Sequence, residues 1–166
     1  RADLFALYYL ADHKLVELGI LPNDEAYKAE YNSYFLNVMM VQLSRIELGK
    51  TVTEAHMQNR KLIAEWCYKN GLKENNPGAK SDVIEKRTRN GKSYFVINDY
   101  TKLRTLVGNL LAEIQRIKSE GDYKAGKKLI ADYAVKIDPA LHKEVKERYD
   151  ALHLKPYRGF VNPDII

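Results

Sequence analysis

Asp99-Tyr100-Thr101-Lys102-Leu103-Arg104-Thr105-Leu106-Val107-Gly108-Asn109-Leu110-Leu111-Ala112-Glu113-Ile114-Gln115-Arg116-Ile117-Lys118-Ser119-Glu120-Gly121 is the stretch that decides the fold class. Leu103, Leu106, Val107, Leu110, Leu111, Ile114 and Ile117 recur at helical spacing, so one face is apolar and the other carries charge. Asp99 is a suitable N-cap, and Gly121 can take the left-handed conformation that stops a helix.

The same period extends in both directions. Downstream, Asp122 caps a helix running to about Ile137, and Asp138-Pro139 supplies a cap and first helical residue for another reaching about Leu152. Upstream, a helix from Ala55 to Asn70 closes at Gly71, where a positive φ is expected. Thr51-Val52-Thr53-Glu54 fits a capping box in front of it, with Thr51 as cap. A helix carrying Tyr27, Tyr31, Tyr34, Phe35, Val38, Met39 and Val41 on its apolar surface is expected to continue to Leu48 and end at Gly49. A first helix is expected to run to Leu18 and stop at Gly19. Its opening, Arg1 to Leu10, has no N-cap and reads as the interior of a helix that began upstream.

Between residues 82 and 97 the period falls to two. Two short runs flank Asn90-Gly91, the strongest short hairpin signal. A lone two-stranded ribbon is marginal in water, so it must lie against something. From 153 to 166, Pro156, Gly159 and Pro163 leave an irregular, extended tail. The expected fold is therefore mainly α: one helical domain over 1–166, with about six helices, one β-hairpin and that tail.

Composition narrows the function classes. Apolar residues make up 45% and charged residues 30%, a globular balance. The net charge of +5 is modest and both signs are interspersed, so neither a nucleic-acid nor a membrane partner is expected. Lys86, Arg87, Arg89 and Lys92 cluster beside the hairpin turn with Tyr94 and Phe95, a pattern that solubility explains. Cys67 is the one cysteine, which excludes an internal disulfide and any C-x-x-C site. The apolar run Leu4–Leu10 is followed by Asp12, His13 and Lys14, far short of a membrane span. There is no Gly-rich phosphate loop and no H-E-x-x-H pair; His13, His56, His142 and His153 are widely spread.

His56 and Arg60 stand four apart and share a helix face. In the first turn the helix dipole disfavours the imidazolium, which suits a neutral His56 donating to an oxygen that gains negative charge. A satisfied interface histidine and an arginine paired to a carboxylate are the structural alternatives. Arg158 sits in an otherwise apolar tail. It can grip a substrate carboxylate bidentately, or it can pin the tail to a helix.

These residues resemble a known family. Arg1-Ala2-Asp3 looks like the end of the motif Glu-Glu-x-Arg-Ala-Glu/Asp, and Ala55-His56-Met57-Gln58-x-Arg60 looks like a second signature of the dipeptidyl peptidase III family of zinc exopeptidases. Lys118-Ser119-x-Gly121-Asp122, Tyr133-Ala134 and Val161-Asn162-Pro163 are similar to family usage too, so the resemblance touches nearly the whole chain. Where animal members carry consecutive basic residues before the closing proline, this chain has Tyr157-Arg158, and its short connections point to a bacterial member.

The resemblance implies the C-terminal portion of a two-lobed metallopeptidase, lying in its upper, catalytic lobe. It implies removal of N-terminal dipeptides from short peptides by zinc-assisted hydrolysis. Two His of an H-E-x-x-x-H helix and one Glu hold the metal in the family, all upstream of Arg1. No zinc and no catalysis are therefore expected of this chain alone; the parent is the enzyme, and the rest of the same polypeptide is the chief partner. On this reading His56 is the catalytic residue that steadies the tetrahedral intermediate, and Arg60 supports it. Arg1 and Asp3 orient the missing ligand, Arg158 binds substrate, and the expected location is the cytoplasm. A self-sufficient helical binding or scaffold domain is the competing reading, and a basic nucleic-acid binder is a third.

Overall fold

The structure, a computed structural model, describes residues 1–153. Seven α-helices and one antiparallel hairpin follow in the order α1 (Ala2–Leu10), α2 (Lys14–Glu17), α3 (Tyr27–Met39), α4 (Ala55–Asn70), β1 (Ile84–Arg89), β2 (Lys92–Ile97), α5 (Tyr100–Glu120), α6 (Tyr123–Tyr133) and α7 (Pro139–Asp150). A mainly helical fold with a small hairpin is thus what the periodicity predicted. The tail and Arg158 lie outside the described residues.

α5 forms the spine. Asp99 accepts a hydrogen bond from the Lys102 N–H, and Gly121 takes φ +66° at the far end. Leu103, Val107 and Leu110 are fully buried against Leu4 and Leu7 of α1, Tyr31, Phe35 and Val38 of α3, and Ile63 and Cys67 of α4. Each such aliphatic side chain contributes about 1.5–3 kcal/mol through burial. The hairpin turns through Asn90 (φ 50°) and Gly91 (φ 70°), which pairs Arg89 with Lys92 and Ile84 with Ile97. Ile84, Phe95 and Ile97 seal the same core. Toward the tip Glu144 accepts from the Ser93 N–H at 2.7 Å, and Arg148 donates to the Ser93 carbonyl at 2.7 Å. α7 thereby satisfies the open edge of β2 where a third strand would otherwise sit.

A second, smaller core gathers Leu43, Ile46, Val52 and Val145. It explains two departures from the expected elements. The helix expected to reach Leu48 stops at Met39, and Val41–Arg45 rewinds as a 3-10 turn that points Leu43 at this core; Val41 is left 44% exposed. Thr51 does not cap α4. Val52 is drawn into the small core and its N–H donates to the Val135 carbonyl, so the chain stays extended until Glu54, whose carboxylate is the actual cap.

The first helix also ends early. Arg104 of α5 donates to the Tyr8 carbonyl at 2.9 Å, taking the acceptor that a continuing helix would need for Asp12. Asp12 then accepts from the Lys14 N–H and starts a separate short turn. Gly71, expected with positive φ, has φ −90°. Its lack of a side chain serves close approach instead: a β-carbon there would stand 2.8 Å from the Cys67 carbonyl oxygen and 2.9 Å from Val83 Cβ. Among the described residues, no helix is long and apolar enough to cross a membrane.

Candidate functional site

The beginning of α4 borders a groove of ≈ 420 Å³ between that helix, α3 and the 3-10 turn. Glu54, exposed at the start of the helix, is one of its lining residues. Its carboxylate accepts from the N–H groups of His56 at 2.9 Å and Met57 at 2.7 Å. These two bonds, the His56 N–H first, hold Glu54 below the ordinary carboxylate range, with the charge of Arg60 adding to the effect. The helix N-terminus is thus occupied by an anion of the chain itself, and that carboxylate offsets the dipole invoked for His56.

His56 and Arg60 are both exposed and both line the groove, as their spacing predicts. Arg45 faces them from the 3-10 turn, with Glu30, Ser33 and Asn37 of α3 alongside. The backbone here is pinned from two sides. Gln42, itself buried, donates to the Met57 carbonyl at 2.9 Å, and Gln58 donates to the Val52 carbonyl at 2.8 Å. The imidazole of His56 is therefore carried on a fixed turn while its ring faces open space.

Asp3 belongs to the same neighbourhood. The Asn59 side-chain amide donates to its Oδ2 at 3.0 Å, and the Tyr34 hydroxyl donates to the same oxygen at 3.4 Å. Burial, then the Asp3 charge, pushes the Tyr34 hydroxyl far above its ordinary range, so it remains a donor; the charge of Arg60 works in the opposite direction. Arg1 points elsewhere and donates to Gln115 of α5 at 2.9 Å. The structure therefore brings His56, Arg60 and Asp3 to one region through Tyr34 and Asn59, leaves Arg1 on the α5 side, and does not describe Arg158.

Nothing in the sequence marks Tyr34, Asn59, Gln42, Arg45 or Glu54 as site residues. Tyr34 reads as one more aromatic on an apolar helix face, and its hydroxyl finds Asp3 only after folding. Asn59, three residues after His56, carries the one available hint, since that spacing places it on nearly the same side of the helix. Among the described residues, no three His, Cys, Asp or Glu side chains are grouped to hold a metal ion. No family model matches the chain, and no curated protein matches it.

Proposed function

We propose that this chain is the C-terminal part of a zinc-dependent dipeptidyl peptidase, placed in the upper lobe and acting in the cytoplasm on short peptides. The zinc ligands belong to polypeptide upstream of Arg1, so residues 1–166 alone are inactive. The reading rests on the resemblance of Arg1-Ala2-Asp3 and Ala55-His56-Met57-Gln58-x-Arg60 to family signatures. The observation that carries it furthest is that these two segments meet: Asn59, inside the second, donates to Asp3, at the end of the first, across 56 residues. Asn59 is the position that the second signature leaves open, so the contact supports the reading by bringing the two segments together and not by matching a family residue.

On this reading His56 donates a hydrogen bond to the oxygen that gains negative charge as the scissile carbonyl becomes tetrahedral. Arg60, one turn on, adds positive charge to the same groove. Asp3 is a positioning residue: fixed by Asn59 and Tyr34, it holds the start of α1 against α4 and so sets where a ligand preceding Arg1 would stand. Bound zinc would supply Lewis acidity and an activated water.

The test is the coding sequence directly upstream of Arg1. The proposal requires Glu-Glu-x in frame before Arg1 and an earlier helix containing the His-Glu motif; any other sequence there would sink it. A self-sufficient binding domain predicts neither.

A further inference from the structure

A second cavity, of ≈ 620 Å³, opens on an adjoining face of α4, between that helix, the hairpin and the connection from α6 to α7. Its size falls in the range of about 300–1,000 Å³ typical of small-molecule sites. It lies on the seam between the two cores, where Leu141 packs against both, and the seam is left unfilled. Leu43, Ala64 and Phe95 give it an apolar floor, and Tyr68 and Tyr133 supply aromatic walls.

Charge at its rim is unbalanced. Four lysines (Lys61, Lys69, Lys86 and Lys136) meet three carboxylates (Glu65, Asp132 and Asp138). The carboxylates are all engaged: Glu65 takes both Lys61 and Lys69 at 3.2 Å, Asp138 stands 4.0 Å from Lys86, and Asp132 is held by Lys128 outside the cavity. Lys61 is tightly enclosed, its side chain only 11% exposed. That leaves Lys136, which makes no ion pair within 4.0 Å with any described residue and whose charge is felt only at longer range by Asp132, already held by Lys128; it stands beside an apolar floor that no side chain fills. An anion with a hydrophobic body answers both features, whereas a cation would meet carboxylates already neutralised.

We propose that this cavity binds a small carboxylate bearing an aromatic or branched apolar body, the body on the Phe95 floor and the carboxylate at Lys136. The site shares only Val38 with the groove at His56 and does not depend on the peptidase reading.

The experiment is an NMR amide-shift titration of the 166-residue chain with phenylpropionate and, in parallel, phenylpropylamine. Saturable shifts confined to residues around Ala64, Phe95 and Lys136, for the carboxylate and not the amine, are expected. Lys136→Glu, at an exposed position, should weaken the carboxylate about fivefold or more. Ala64→Leu should abolish binding by filling the floor; if that variant misfolds, Lys136→Glu carries the test. Absence of saturable shifts, equal binding of the amine, or unchanged affinity in Lys136→Glu would overturn the proposal.

Discussion

Asn59 Nδ2 lies 3.0 Å from Asp3 Oδ2, a single hydrogen bond that ties the first turn of α1 to the second turn of α4. Tyr34 reaches the same carboxylate oxygen from α3, so three helices converge on one acceptor. Replacing Asn59 with Leu leaves Asp3 with its longer bond alone, in a partly buried setting. The expected cost is about 1–2 kcal/mol of unfolding free energy. A double-mutant cycle with Asp3→Ala, followed by chemical denaturation, should show coupling of the same sign; strict additivity would mean that the contact is not formed.

Gly71→Ala should be among the most damaging single changes. Two of the three neighbours a new methyl would meet, the Cys67 carbonyl and Val83 Cβ, lie on or next to the backbone and cannot swing away. A loss of about 1–3 kcal/mol is expected from overpacking. Gly49→Ala meets nothing within 4 Å and suffers only from its φ of +80°. That change should cost about 1–2 kcal/mol. Thermal melts of the two variants compare close approach directly with backbone strain.

His13 and Asp24 form a pH-dependent clasp. The Asp24 hydrogen bond, at 2.7 Å, and its charge hold the imidazole above its ordinary 6.5. A group whose folded value is raised contributes stability in full below 6.5 and loses it as the pH climbs through the higher folded value. Asp24→Asn should therefore return the His13 titration, followed by NMR, toward the ordinary value. The stability advantage of the unmodified chain over this variant should appear in mildly acid solution and fade above neutrality.

Cys67 has no exposed surface, and burial pushes its thiol far above the usual range. A thiol reagent should label the native chain only through opening of α4 from the core. The labelling rate should rise steeply with denaturant and track unfolding; rapid native labelling would contradict the packing.

What the sequence made legible is local. Asp99, Gly121, Asn90-Gly91, Asp122 and Asp138 each act within a few residues of themselves, and each does in the fold what its chemistry predicts. The departures come from partners distant in the chain. Arg104 ends α1 by reaching 96 residues back to the Tyr8 carbonyl. The small core around Val52 unwinds the end of the third helix and displaces the cap from Thr51 to Glu54. The site divides the same way. The shared face of His56 and Arg60 follows from spacing, whereas the Asp3–Asn59–Tyr34 junction depends on how three helices dock, which no window of sequence records.

The proposed role of the groove at the head of α4 is peptide hydrolysis in a zinc-loaded polypeptide that includes this chain. The measurement that tests it most directly is steady-state hydrolysis of an arginyl-arginyl arylamide by that intact polypeptide, with and without His56→Ala. Zinc-dependent release of the dipeptide is expected, with a loss of about 10²-fold in kcat for the variant. KM should change far less, because the bond from His56 is made mainly in the transition state. No turnover by the zinc-loaded polypeptide, or an unchanged kcat in the variant, would contradict it.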